Sequence, residues 1–374
     1  MKYQFKRRAT LICIVILLVC SAIFHTWNLP GRDQYKMNHS SSSAHEHANC
    51  SIPASFTRRL HYQTLHSSHF RVIIFVDCQY LQPLRSFLLS LLLTSPTRCL
   101  KRMVIHAFVS ELSCWSVEIL KAWSQHISLE IHQVSLESLS YFTQGITNLH
   151  LNKTTVLGRI LLPELVGGDD IVLVLDLDTI ICRCLCDLFD ESVGIMYPHY
   201  GLAAVPISRE EDKNDFDRQY RVFENKLHTH EVISKRFPEL RSQFLRARNV
   251  SMDEYFNVGV MAVDLYHWRR RQIPQILTQL LETHIEFGLW TSDLVINPPL
   301  CILFIGRFAH LHRLWNHHRF GHQQVQAGEE AFIYHFAGDY KPWMAENLNA
   351  DYWVPECVHH ERKRSFCSKR NSRS

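Results

Sequence analysis

The chain has 374 residues and a hydrophobic fraction of 46%, enough to build a substantial core in one large α/β domain or two small ones. Its 40 basic and 36 acidic residues leave a net charge of +4, too mild a surplus for a nucleic-acid-binding protein. No internal repeat is visible.

The N-terminus opens with four cations in residues 1–8, and no charge follows from Ala9 through Gly31. Residues 9–27 approach the roughly 20 apolar residues that a bilayer requires. Cations before the span favour a cytosolic N-terminus and a luminal body. The expectation is a cytosolic tail over 1–8 and a signal-anchor transmembrane helix over 9–27. A cleaved signal peptide, cut near Ser21 and Ala22, is the alternative, and it also routes the body into the secretory lumen. Residues 28–67 are Ser-rich without apolar periodicity, as in a flexible stem. Sequons begin at Asn38, Asn49, Asn152 and Asn249. Of the 12 cysteines, Cys13 and Cys20 fall in the apolar segment. Oxidation can pair the others, in a pattern that spacing does not reveal.

From Phe70 onward the chain alternates strand and helix patterns. FRVIIFVD reads as a buried strand and LQPLRSFLLSLLLTS as a helix with Pro83 near its start. RMVIHAFVS is the next strand, CWSVEILKAWSQH an amphipathic helix and LEIHQVS a third strand. TTVLGRILLPELV reads as helical up to Gly167 and Gly168, and DIVLVLDLD follows as a strand without polar alternation. This order implies βαβ units and a mostly parallel, doubly wound sheet. Ligands of such sheets bind at the carboxyl ends of the strands, where Asp77, Asp176 and Asp178 stand. Paired carboxylates there suit a hard cation such as Mg²⁺ or Mn²⁺, which would cancel their repulsion. The plainer reading is a strand cap paired with arginines. Aspartyl-phosphate phosphatases also place D-x-D after a strand, with the first Asp as nucleophile. Their motif closes the first strand of the domain with Thr or Val two residues on, whereas here earlier strands precede it and Ile180 holds that position.

Two later segments bear on the choice. In AFIYHFAGDYKPW, His335 is a candidate imidazole ligand, Gly338 permits close backbone approach and Lys341 offers a cation to phosphate. In YFNVGVMAVDLYHWRRRQI, the apolar run after Asn257 reads as another buried strand, and Asn257 offers donor and acceptor groups to a polyhydroxylated ligand.

Across roughly Phe70 to Pro355 the chain resembles glycosyltransferase family 8, retaining enzymes of the GT-A fold that use nucleotide sugars. The segments that carry the resemblance are VIIFVDCQYLQPL, LGRILLPELVGGDDIVLVLDLDTII, FNVGVMAVDLYHWRR and HFAGDYKPW. GLWTSDLVINPPLCILFIGRFAHLHRLWN is most similar to the animal glycosyltransferase-8 domain-containing type II Golgi proteins. The resemblance implies an α/β GT-A nucleotide-sugar-binding domain over 68–355, followed by a basic tail over 356–374. It implies Mn²⁺ held by Asp176, Asp178 and His335, and a uracil held by Asp77 and Tyr80. Arg159 would face the donor, Gly338 and Lys341 would contact the diphosphate, and Asn257 the donor sugar. The implied reaction moves a sugar from a UDP-sugar to a glycan or glycoprotein hydroxyl at a Golgi membrane, with the domain luminal. No carboxylate is identifiable as nucleophile, and a front-face mechanism needs none. The chain departs from the family pattern where many members carry Asp-Gln-Asp. Thr291 and Ser292 replace the first two, leaving Asp293 as the charged donor-sugar contact and third candidate catalytic acid. A nucleotide-sugar-binding protein with weak or no transfer is therefore the alternative.

Three other segments have plainer readings. CRCLC places Cys182, Cys184 and Cys186 on one face, but lacks the paired spacing of a structural zinc site, so disulfide or core roles are expected. HLHRLWNHHRFGH reads as a strand-to-loop segment beside the acceptor cleft. The charged stretch over 209–249 reads as a solvated helical insertion that contributes to acceptor specificity.

Overall fold

A computed structural model of the chain describes residues 69–77, 81–109, 112, 115–135, 140–143, 157–196, 201–207, 215–247, 255–290, 296–318, 330–338 and 341. The expected anchor, stem and C-terminal tail, the four sequons, Tyr80, Thr291, Ser292 and Asp293 lie outside them. Among the described residues, no helix is long and apolar enough to cross a membrane.

The order begins β1 (Phe70–Val76), α1 (Leu81–Thr94), α2 (Thr97–Arg102), β2 (Met103–Val109), α3 (Trp115–Trp123) and β3 (Leu129–Gln133). A 3-10 turn (Gly158–Leu161) leads into α4 (Leu162–Val166), β4 (Ile171–Leu175), β5 (Thr179–Ile181), α5 (Leu185–Met196) and β6 (Leu202–Pro206). Then come α6 (Asp215–Thr229), α7 (Glu231–Arg236), α8 (Pro238–Ala247), β7 (Phe256–Asp264), α9 (Leu265–Arg270), α10 (Ile273–Phe287) and α11 (Asn297–Phe304). The short strands β8 (Ala309–His310) and β9 (Ile333–His335) flank a 3-10 turn at Arg313–Trp315.

Seven strands form one sheet in the order β3-β2-β1-β4-β7-β6-β8. β1 to β4 are mutually parallel, β6 pairs parallel with β8, and β7 runs antiparallel to both β4 and β6. The mostly parallel α/β sheet expected from the alternating pattern is present. The reversal of β7 is not visible in its composition, because buried parallel and antiparallel strands are equally apolar.

The core lies on both faces of this sheet. Along β4, Val172 and Val174 pack on one side, and Ile171, Leu173 and Leu175 on the other. Alternate side chains leave opposite faces, so burial on both sides explains the unbroken apolar run. Each such side chain contributes about 1.5–3 kcal/mol, which holds the strand firmly beneath the acids at its end. α1, α3 and α5 cover one face, and α4 with α6 to α11 the other.

The helix expected over TTVLGRILLPELV is present in its described part and ends at Gly167 as expected, but it runs as a 3-10 turn followed by the short α4 with Pro163 in its first turn. Proline lacks the N–H that would continue a helix and crowds the carbonyl four residues earlier. The charged insertion is helical over its described residues, 215–247, as expected, but Phe223, Leu227, Ile233, Phe237 and Leu240 are buried in the core, so one side of it is structural. In CRCLC, Cys186 forms a disulfide with Cys99 of α2, with a Cα separation of 5.9 Å.

Candidate functional site

Asp176 follows directly on β4, and its backbone N–H donates to Gly259 O of β7 at 2.8 Å. The chain then turns sharply, with Thr179 Oγ1 donating to Asp176 O at 2.6 Å. The turn enters β5, which pairs antiparallel with β9 so that Thr179 faces His335. Phe336 N–H closes this pairing on Asp178 O at 2.9 Å. His335 is thereby carried to the two acids from far along the chain. Its Nε2 lies 3.3 Å from Asp178 Oδ1 and 3.7 Å from Asp176 Oδ2. Asp176, Asp178 and His335 form one of three His/Cys/Asp/Glu donor groups among the described residues, with ligand atoms within 4.8 Å of one another.

Cations hold the outer oxygens. Arg159, in the 3-10 turn before α4, pairs with Asp176 Oδ1, leaving Oδ2 toward His335. Burial pushes its guanidinium down to about 10, with Asp178 opposing, and it stays charged at neutral pH. Lys341 Nζ donates to Asp178 Oδ2 at 2.5 Å and to Phe336 O at 3.0 Å. Gly338, at φ +91°, occupies the left-handed region that lets the chain turn between these two residues. Burial alone would raise the Asp178 carboxyl, but the Lys341 ammonium against it favours the anion, and the group is held well below the usual carboxylate range.

The tautomer of His335 follows from its neighbours. Its Nδ1 lies 2.9 Å from Asn316 Oδ1, which can only accept, so Nδ1 carries the proton. Asn316 Nδ2 in turn faces Asn257 O and Oδ1 at 3.4 and 3.3 Å, which orients the amide. Burial lowers the pKa of His335 against the pull of Asp178. The neutral ring therefore directs its Nε2 lone pair at two carboxylate oxygens. Three converging lone pairs repel unless a cation lies between them, and two carboxylates with one imidazole fit a divalent metal.

The other expected site residues divide in two. Asp77 follows β1, the parallel neighbour of β4, and so leaves the same edge of the sheet. Asn257 starts β7, whose antiparallel direction brings that start to the carboxyl end of β4. Its Oδ1 accepts from Gly259 N–H at 2.8 Å, so part of its hydrogen-bonding capacity is already committed. Tyr80 and Asp293 lie outside the described residues.

Sequence reasoning missed Asn316 and Gly259. Asn316 sits in the His-rich segment, which does supply strand and loop but whose asparagine bears on His335. Gly259 is a glycine inside an apolar strand, a pattern that marks close approach by a neighbour. A Cβ there would stand 2.0 Å from His335 Cε1.

Comparison with known proteins places this geometry in context. The sequence profile described as Glycosyl transferase family 8 matches residues 71–347. Human "Glycosyltransferase 8 domain-containing protein 2" is 24% identical over 204 residues, covering 52% of this chain and 55% of its own length. "Glycosyltransferase 8 domain-containing protein 1" of Xenopus laevis is 25% identical over 209 residues, covering 54% and 55%. The chain spans about half the length of the curated relatives it matches. Among solved structures, the galactosyltransferase LgtC, in complex with donor and acceptor sugar analogues, aligns with a TM-score of 0.56 at 17% identity. That alignment covers 78% of this chain and 95% of LgtC. The bifunctional glycosyltransferase WbbM aligns over 80% of this chain and 52% of its own, with a TM-score of 0.52 at 15% identity. At these identities the likeness is one of fold, the GT-A arrangement.

Proposed function

The chain belongs to glycosyl transferase family 8, and from that premise we propose that it is a retaining transferase moving a sugar from a UDP-sugar to a hydroxyl of a glycan or glycoprotein, with Mn²⁺ held by Asp176, Asp178 and His335. The observation that carries this reading is the convergence of Asp176 Oδ2, Asp178 Oδ1 and His335 Nε2 at the carboxyl end of β4.

Charge supports it. Arg159 and Lys341 balance Asp176 and Asp178, and His335 is neutral, so these side chains alone offer no surplus positive charge to a diphosphate. A dication bound by the three ligands would supply that surplus and neutralise charge developing on the leaving group. Arg159 keeps Asp176 turned toward His335, and Lys341 does the same for Asp178 while adding a buried cation near the diphosphate. Gly338 lets the backbone approach the phosphates. Asp77 and Tyr80 hold the uracil, and Asn257 and Asp293 the donor sugar. The acceptor hydroxyl attacks from the face that the diphosphate leaves, with the departing phosphate oxygen taking its proton. No enzymic nucleophile is required.

The same reading sets the protein in the Golgi membrane as a type II protein anchored by residues 9–27. The Cys99–Cys186 disulfide supports an oxidising lumen. The test is a screen of the purified full chain against UDP-sugars, measuring UDP release with and without Mn²⁺. Release from one donor only with Mn²⁺ is expected. UDP binding with no release from any donor would favour the transfer-deficient reading suggested by Thr291 and Ser292. Failure to bind UDP would overturn both.

A further inference from the structure

Two strands away from the Asp176 site, β2 and β3 carry a second convergence of donor atoms. His106 and Glu130 are partners in the parallel register of these strands, so their side chains leave the same face of the sheet. His132, two residues beyond Glu130, leaves that face as well. His106 Nδ1 stands 3.0 Å from His132 Nε2. Glu130 Oε2 lies 3.3 Å from the first nitrogen and 3.5 Å from the second. One atom from each residue thus closes all three sides of a triangle.

Bonds of about 2.0–2.1 Å to a tetrahedral ion set neighbouring ligand atoms about 3.3–3.4 Å apart. The three observed sides bracket that spacing. Two imidazoles and one carboxylate also make a different donor set from the carboxylate-rich site on β4, one suited to a borderline transition metal rather than a hard ion. We propose that His106, Glu130 and His132 form a second metal site, which binds a divalent transition ion of the Zn²⁺ class and ties the edge strand β3 to β2.

The surroundings favour ligation. The two imidazole rings lie edge to edge and nearly coplanar, with centroids 5.2 Å apart and planes 12° from parallel, and His132 also packs against Phe108 at 4.9 Å. These contacts fix the rings with their facing nitrogens already in place. Burial lowers the pKa of His106 against the pull of Glu130, which favours the neutral, ligating ring. Arg71 is the nearby cation, but its guanidinium is engaged by Asp170 and by the carbonyls of Val166 and Gly167. The His106 side chain is 12% exposed, His132 36% and Glu130 56%. An ion can therefore enter from solvent and take water as its fourth ligand. β3 lies at the sheet edge, where a cross-strand clip strengthens an otherwise singly paired strand.

The experiment titrates the purified full chain with Zn²⁺, following both stoichiometry by equilibrium dialysis and the shift in thermal unfolding. Co²⁺ in place of Zn²⁺ reports four-coordinate geometry through its visible absorption. Relative to the unaltered chain, His132→Ala and Glu130→Gln should each weaken Zn²⁺ binding at this site by more than about tenfold, and abolish the four-coordinate Co²⁺ bands. Asp178→Asn should retain both the Zn²⁺ shift and the bands. Glu130→Gln alters an exposed side chain and serves if His132→Ala does not fold. Unchanged Zn²⁺ binding and Co²⁺ bands in both variants would overturn the proposal and leave the three side chains as a hydrogen-bonded cluster. Loss of the bands in Asp178→Asn, with retention in His132→Ala, would assign the ion to the β4 site and overturn it equally.

Discussion

The imidazole of His335 lies so close against Gly259 of β7 that a methyl group on that glycine would stand 2.0 Å from Cε1 and 2.7 Å from both ring nitrogens. The ring is buried, with Asn316 on one side and the two acids on another. Gly259→Ala must therefore push the ring off its position. UDP affinity in the presence of Mn²⁺ should fall by about ten- to hundredfold, the scale of a disturbed metal environment, while affinity without metal changes little. Calorimetric titration with UDP in both conditions measures this. Equal Mn²⁺ enhancement in the variant and the unaltered chain would show that His335 does not hold the ion.

Asn316 acts on the same ring from behind. Its Oδ1 fixes the proton on His335 Nδ1 and leaves Nε2 toward the carboxylates. Asn316→Ala removes the acceptor, leaves a buried N–H unsatisfied and frees the ring to change tautomer. Mn²⁺ affinity should drop by about tenfold or more. A titration that superimposes on that of the unaltered chain would reduce Asn316 to a packing residue.

Asp178 separates a metal ligand from a strand cap. Asp178→Asn keeps shape and an acceptor for Lys341 but removes the charge that a dication needs. UDP should bind more weakly, and Mn²⁺ should no longer strengthen it. A pure cap would instead give a less stable protein whose UDP binding still responds to Mn²⁺, so paired urea unfolding and UDP calorimetry distinguish the two.

His284 makes stability depend on pH. Burial, helped by Lys226, lowers its pKa from 6.5 to about 4. The ring stacks on Trp290 at 3.9 Å and its Nδ1 faces Trp290 N–H at 3.2 Å. The folded pKa lies below the unfolded value, so the unfolded chain takes the proton first. Stability is complete above about 6.5 and falls as pH drops toward 4, by on the order of 2 kcal/mol after allowing for partial exposure. His284→Phe keeps the stack without the titration, so its urea midpoint should fall less between pH 7 and pH 5. Matching pH slopes in the two proteins would rule His284 out.

Much of this molecule was legible along the chain. The unbroken apolar run of β4 announces a strand buried on both faces, because alternate side chains must all leave water. The strand and helix periods alternate in a way that only a mostly parallel layered sheet accommodates, and that sheet places Asp77, Asp176 and Asp178 at one edge. His335, Gly338 and Lys341 were legible as a candidate ligand, a point of close backbone approach and a cation because their chemistry does not depend on their neighbours. What the tertiary structure decided is which distant residues meet. The β5–β9 pairing brings His335 onto the acids, the reversal of β7 carries Asn257 and Gly259 to them, and Asn316 reaches the ring from a segment that looked merely His-rich. The Cys99–Cys186 bond and the His106–Glu130–His132 triangle arise in the same way, across elements rather than within them. Local periodicity is set by the backbone geometry and burial of neighbouring residues, so it is written in the spacing of the sequence. Pairing between remote segments is set by the register and packing of the whole core, and no short stretch of sequence contains it.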